Sequence, residues 1–90
     1  MKLKVESNRM FYLNEKNMTI AEITYTSINK DLYIIDHTSV VNGYQGKGIA
    51  KELVRAVVDK ARKEGKKVMP LCPFANAEFE RRTEYQDVRR

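Results

Sequence analysis

A glycine-rich turn divides this chain into two parts with different hydrophobic periods. In residues 2–41, apolar and polar side chains alternate in short runs, which is typical of β-strands. In residues 48–64, apolar side chains recur every three or four positions and form one helical stripe. Between the two lie Gly43, Gly46 and Gly48. The chain must therefore fold a β-rich half against an amphipathic helix.

Polar turns cut the β-rich half into four predicted strands. The turns fall at residues 7–9, 14–17 and 29–31, and the fourth strand is predicted over Leu32–Val41. Turns this short favour an antiparallel meander, because parallel neighbours need a longer crossover.

The second half adds a strand and another helix. Gly65 follows the first helix at the position of a C-cap glycine. The pattern then predicts a strand over 67–72 and a polar helix from Ala75 to about Asp87. The order is β-β-β-β-α-β-α, and the helical crossover makes the last two strands roughly parallel. We therefore expect one α/β domain over residues 1–90, with a mixed, mostly antiparallel sheet.

Composition excludes several classes of protein. The chain is 42% hydrophobic and 32% charged, with no apolar run near the roughly 20 residues that span a bilayer and no signal peptide. A single cysteine and a single histidine predict neither a disulfide nor a metal site. We expect a cytoplasmic protein that is a monomer or a weak dimer. The net charge of +5 fits either a soluble basic surface or a partner that carries phosphates.

The turn itself has the features of an anion site. Glycines let the backbone turn tightly near a ligand, and the first N–H groups of a helix have no internal partner. Together with the helix dipole they suit a phosphate or pyrophosphate, and Lys47 and Lys51 add positive charge. The spacing matches neither a P-loop nor a Gly-x-Gly-x-x-Gly fingerprint, because Lys51 stands at the last glycine position.

The segment Gln45–Ala50 resembles the acyl-CoA signature of the GNAT superfamily of N-acyltransferases, Gln/Arg-x-x-Gly-x-Gly/Ala. The element order resembles the core of that fold without its usual N-terminal helices. Small stand-alone members of about this length are the most similar, and the resemblance covers residues 18–88. Their further motifs correspond here to His37-Thr38, Cys72-Pro73-Phe74 and Glu84-Tyr85.

The resemblance implies an acetyl-CoA-dependent N-acetyltransferase with an amine acceptor of unknown identity. It implies that the pyrophosphate of CoA is held by the loop residues Gln45, Gly46, Lys47, Gly48, Ile49 and Ala50. It also implies that a bulged strand pairs with the pantetheine arm through Thr38, Ser39, Val40 and Val41. The fold is known for a splayed gap between its fourth and fifth strands, which CoA fills.

Cys72 and His37 are the candidate catalytic residues. Cys72 could act as a nucleophile, as an acid toward the departing thiolate, or only as a buried packing residue. His37 is a candidate base, expected opposite Cys72 across the gap. Strand alternation predicts Asp36 on the face opposite His37, so no role is assigned to it. Tyr85 receives no role because the Tyr-x-x-x-Gly-Phe ending of many GNAT enzymes is absent, and Phe74 is interpreted as packing.

Two other functions remain open. The absence of acceptor-covering helices fits a module that binds acetyl-CoA or CoA with little turnover. A small basic nucleic-acid-binding protein is disfavoured, because the chain has no aromatic-interleaved basic strand and no recognisable DNA- or RNA-binding motif. We therefore expect neither nucleic acid nor membrane as a partner.

Overall fold

The computed structural model describes residues 1–90 and contains one five-stranded sheet and two α-helices. The elements, in chain order, are β1 (Lys2–Val5), β2 (Arg9–Leu13), β3 (Thr19–Ile28), β4 (Leu32–Val40), α1 (Ile49–Glu64), β5 (Lys67–Pro70), α2 (Pro73–Arg81) and a single 3-10 turn (Thr83–Tyr85). The predicted α/β class and element order are confirmed. Observed strand ends differ from the predicted ones by one or two residues.

The strands lie in the spatial order β1-β2-β3-β4-β5. The first four pair antiparallel as a meander, and β4 pairs with β5 in parallel, as predicted. The parallel ladder has only four residue pairs, from Leu32 with Lys67 to Ile35 with Pro70. Beyond Ile35, β4 runs on to Val40 while β5 has ended. The expected splayed gap therefore opens at Ile35.

The bulge in β4 lies earlier than expected, at Asp36 and not within residues 38–41. Thr24 pairs with His37 and Tyr25 with Ile35, so Asp36 is the extra residue. Asp36 accepts a hydrogen bond of 2.8 Å from the hydroxyl of Thr26 on the outer face of the sheet. The prediction that Asp36 and His37 lie on opposite faces is wrong, because strict alternation fails across a bulge.

The two helices pack on one face of the sheet. Helix α1 buries six apolar side chains there and ends at Gly65, which has the predicted left-handed conformation (φ 69°). The buried residues of α1 are Ile49, Leu53, Val54, Val57, Val58 and Ala61. With Ala75 and Phe79 of α2 and the inner residues of the strands, they form a single core cluster of 19 residues.

Helix α2 is shorter and begins earlier than the predicted helix over 75–87. It starts at Pro73, where the missing N–H costs nothing, and ends at Arg81. Arg82 is extended and leads into the 3-10 turn. The side chain of Gln86 folds back and donates a 2.7 Å hydrogen bond to the Phe79 carbonyl, which has no helical partner.

The C-terminal residues cover the free edge of β5, a contact that the sequence pattern did not predict. The Val68 amide donates to the Val88 carbonyl at 2.6 Å, and the Arg90 amide donates to the Val68 carbonyl at 2.9 Å. The side chain of Val88 is buried, and Arg62 of α1 binds Asp87 with two hydrogen bonds. This segment therefore ties β5 to α1.

No helix covers the outer face of the sheet. Its largest apolar side chain, Phe11, is instead covered by the guanidinium of Arg9, 3.9 Å above the ring centre. Arg9 also pairs with Glu22 at 2.6 Å. Neither helix has the length and apolar character needed to cross a membrane.

Replacing Val88 by alanine should destabilise the protein by about 2 kcal/mol, because two buried methyl groups are lost and a cavity remains. Val5→Ala is the matched control, since Val5 is 54% exposed on the edge strand; we expect its effect to stay under about 0.5 kcal/mol. Urea unfolding of both variants measures the difference. Equal effects would show that the C-terminal segment does not contribute to the core.

Candidate active site

A cavity of about 380 Å³ lies where β4 leaves its neighbour and the chain turns into α1. It is bounded by the end of β4, the glycine-rich loop, the first turn of α1 and one aromatic ring of α2. The lining residues are Thr38, Ser39, Val40, Tyr44, Gln45, Gly46, Gly48, Ile49, Ala50, Lys51 and Phe74. Eight of the ten residues predicted to bind the cofactor therefore line one cavity, and Val41 and Lys47 do not.

Left-handed glycines shape the wall of this cavity. Gly46 and Gly48 have φ values of 78° and 79°, which side-chain-bearing residues rarely adopt. No atom lies within 4 Å of the position that a Cβ would take at either residue. A side chain here would therefore project into open space beside the loop, where a ligand needs room.

The start of α1 presents unused hydrogen-bond donors. Gly48 caps the helix without a side-chain hydrogen bond, and the first helical bond runs from the Glu52 amide to the Gly48 carbonyl. The amides of Ile49, Ala50 and Lys51 have no partner within the protein. These donors, with the positive end of the helix dipole, suit a pyrophosphate, so the loop fits the anionic part of CoA.

Side chains hold the loop in place. Gln45 donates from Nε2 to the Val40 carbonyl at 3.3 Å, which ties the loop back to the end of β4. The hydroxyl of Tyr44 accepts a 3.3 Å hydrogen bond from Asn14. The sequence analysis did not select Tyr44 as a site residue and interpreted Phe74 as packing only. Both line the cavity, and each also packs against the core.

Cys72 lies at the gap and caps the N-terminus of α2. Its Sγ is 3.5 Å from Oγ1 of Thr38, and the side chain is buried. The amides of Leu71 and Cys72 both donate to the Ile35 carbonyl, at 3.2 and 3.3 Å, which fixes the turn. The cysteine is thus held beside a wall residue of the cavity.

Opposing effects set the acidity of this thiol. Burial raises the pKa of Cys72, but the Thr38 hydroxyl and the nearby amides of Ala75, Phe74 and Thr38 favour the thiolate. These polar groups together outweigh burial, so the pKa of Cys72 is lowered from its ordinary value.

His37 does not lie beside Cys72 in the structure. The bulge at Asp36 places Thr38 opposite the buried Ile23, on the inner face, and His37 opposite Thr24, on the outer face. The hydroxyl that contacts Cys72 therefore belongs to Thr38, and His37 is exposed on the face without helices. The sequence alone hides this change of face, because one extra residue shifts the alternation.

Comparison with known proteins shows the family of this chain. A family model described as GCN5-related N-acetyl-transferase matches residues 10–88. The solution structure of a GCN5-like protein from Staphylococcus aureus is 35% identical, with a TM-score of 0.81, and the match covers 99% of this chain and 87% of that one. The chain belongs to the GCN5-related N-acetyltransferase family.

More distant structures support the fold alone. A ribosomal-protein-alanine N-acetyltransferase from Brucella melitensis is 19% identical with a TM-score of 0.66, and Tetrahymena GCN5 is 18% identical with a TM-score of 0.67. Each match covers 81% of this chain but only 57% and 48% of the longer proteins. The sequence has no significant match among curated proteins.

Replacing Thr38 by valine should raise the pKa of Cys72, because valine keeps the shape but cannot donate to the thiolate. The ultraviolet absorbance of the thiolate, followed against pH, measures this directly, since Cys72 is the only cysteine. Ser39→Ala, one residue on and on the other face, should leave the titration unchanged. A titration midpoint that does not move in Thr38→Val would contradict the assigned hydrogen bond.

Proposed function

We propose that this protein is an acetyl-CoA-dependent N-acetyltransferase that moves an acetyl group to an amine. One observation carries the proposal: a single cavity joins the free amides at the start of α1 to Thr38, which contacts Cys72 at the gap between β4 and β5. The free amides are suited to the phosphates of CoA, and the region around Thr38 and Cys72 is suited to its acyl end. Family membership supports the same chemistry.

Each part of the donor has a group in this chain that suits it. The loop from Gln45 to Ala50 would hold the pyrophosphate through main-chain N–H groups, and Lys51 would add charge. Beyond Ile35, the edge of β4 that faces away from β3 has no strand beside it and would pair with the pantetheine amides. Phe74 would close the cavity from the side of α2. Bound acetyl-CoA supplies the activated acetyl group.

Cys72 has two possible parts in the reaction. As a nucleophile, its thiolate sulfur bonds to the acetyl carbon while the carbon–sulfur bond to CoA breaks, and CoA leaves as its thiolate. One thioester replaces another, and the amine then takes the acetyl group from Cys72. As an acid, the Cys72 thiol gives its proton to the departing CoA thiolate. The lowered pKa of Cys72 favours the first version, since it raises the thiolate fraction.

His37 would serve the acceptor. Its position on the open outer face separates it from the CoA cavity, and an imidazole nitrogen can accept a proton from an incoming ammonium group. We therefore place the acceptor on the outer face. The same proposal places the protein in the subgroup of small members with the Cys-Pro-Phe motif, and in the cytoplasm.

One observation favours the second candidate function, an acetyl-CoA or CoA-binding module with little turnover. No element of the chain covers the outer face, so nothing within residues 1–90 encloses an acceptor or excludes water there. The two functions share the CoA site and differ in turnover.

Replacing Gly48 by valine should weaken acetyl-CoA binding by at least about tenfold, because the side chain intrudes beside the loop and the left-handed conformation is lost. Gly65→Val is the matched control. Gly65 has φ 69°, open space around its Cβ and a helix end beside it, but it lies at the far end of α1. Both variants carry a similar strain of about 1–3 kcal/mol.

The measurement is calorimetric titration with acetyl-CoA, after circular dichroism has shown that each variant is folded. Loss of binding in Gly48→Val alone supports the assigned site. Equal affinity in a folded Gly48→Val protein would rule it out.

Incubation with acetyl-CoA and no amine should add one acetyl group to the protein, detected by intact mass and absent in Cys72→Ala. His37→Gln should still acquire the acetyl group but transfer it poorly to a small amine, since the two residues act on different faces. No adduct, with activity lost in both variants, supports the acid version. Full activity in folded Cys72→Ala and Cys72→Ser would make Cys72 a packing residue.

A further inference from the structure

Three cations form a row along the start of α1. Lys51 and Arg55 are four residues apart on α1 and therefore lie on one side of the helix, and Lys47 precedes them in the loop; all three are exposed. None of them forms an ion pair with a carboxylate. We call these three residues the cationic row.

The rest of α1 is different. Further along the helix, Lys60 pairs with Glu64 at 2.7 Å and Arg62 with Asp87 at 2.8 Å. Asp59 follows Arg55 by four residues and pairs with Arg62, at 3.8 Å. The cationic row therefore ends at the carboxylate of Asp59. On this side of α1, only the N-terminal part carries cations that form no ion pair.

The cationic row starts at the cavity and leads away from it. Lys51 lines the cavity. Arg55 lies one turn further, about 6 Å along the helix axis. On its far side from Lys51 it lines a smaller hollow of about 250 Å³ with Asp59, Arg62, Glu84 and Tyr85, so the side of Arg55 toward Lys51 is the one suited to an anion. An anion that touched both side chains would thus lie next to, but apart from, the free amides of Ile49 and Ala50.

We propose that Lys51 and Arg55 bind the 3′-phosphate of CoA, with Lys47 adding to the field. This rests on the proposed CoA site. CoA carries one phosphate besides its pyrophosphate, a monoester on the adjoining ribose, so the two anionic groups are close neighbours in the ligand. A phosphate monoester carries about −1.5 to −2 charge at neutral pH, and exposed Lys and Arg side chains are suited to it.

According to this proposal, the cationic row determines the preference of the protein for CoA over dephospho-CoA. Dephospho-CoA has the same pantetheine arm, pyrophosphate and adenine but lacks the monoester. A protein that held only the pyrophosphate would bind both ligands equally. This chain should prefer CoA.

The test compares the two ligands in four proteins: wild type, Lys51→Gln, Arg55→Gln and the double variant. Calorimetric titration at low, fixed salt gives the affinity ratio of CoA to dephospho-CoA. We expect a ratio of about ten in the wild type, reduced severalfold by each single change and close to one in the double variant. Affinity for dephospho-CoA should change little in Arg55→Gln and fall modestly in Lys51→Gln, because Lys51 also adds charge beside the pyrophosphate.

Lys63→Gln is the matched control. Lys63 is also on α1 and forms no ion pair, but it lines a groove with Leu3 and Val5 on another side of the helix. Its removal lowers the net charge by the same amount and should leave the ratio unchanged.

The outcomes distinguish a failure of this proposal from a failure of the proposed CoA-binding function. If the wild type binds both ligands equally, or if the double variant keeps the wild-type ratio, the cationic row does not bind the 3′-phosphate, while the CoA site stands. If the wild type binds neither ligand, the proposed function fails and this assignment fails with it. A ratio that falls equally in Lys63→Gln would show a general charge effect and overturn the assignment.

Discussion

The short parallel ladder between β4 and β5 is the constraint on which the site depends. Four pairs hold the strands together up to Ile35 and Pro70, and the ladder then stops. Pro70 cannot donate an N–H group, and the next two amides both turn to the Ile35 carbonyl. The chain therefore leaves the sheet at the point where β4 continues. The exposed edge of β4, the cavity and the position of Cys72 all result from that departure.

Much of the fold could be predicted because its signals are local. The change of period near Gly48 separates strands from helix, and Gly65 marks the end of α1. The end of α2 could not be predicted, because it depends on the return of Val88 to the edge of β5, a contact between distant residues. In the same way, Gln86 stabilises the end of α2 only once the chain has turned back.

The candidate site was predicted well where main-chain geometry defines it and poorly where side-chain direction does. Gly46 and Gly48 can be recognised from spacing, because their backbone conformation is tied to residue type. Tyr44 and Phe74 could not, since an aromatic residue in a pattern looks the same whether it faces the core or a cavity. The expected pairing of His37 with Cys72 failed for a different reason: the bulge at Asp36 leaves no reliable trace in the hydrophobic pattern.

That single unpaired residue also limits how roles can be transferred between relatives. Every residue of β4 after Asp36 points to the face opposite the one that counting from Leu32 would give. A relative with the same number of residues in this strand but no bulge would present its histidine inward and its threonine outward, although the two sequences would align without a gap. Equivalent positions in this strand are therefore defined by their partners on β3, as Thr38 is by Ile23, and not by their distance from a motif.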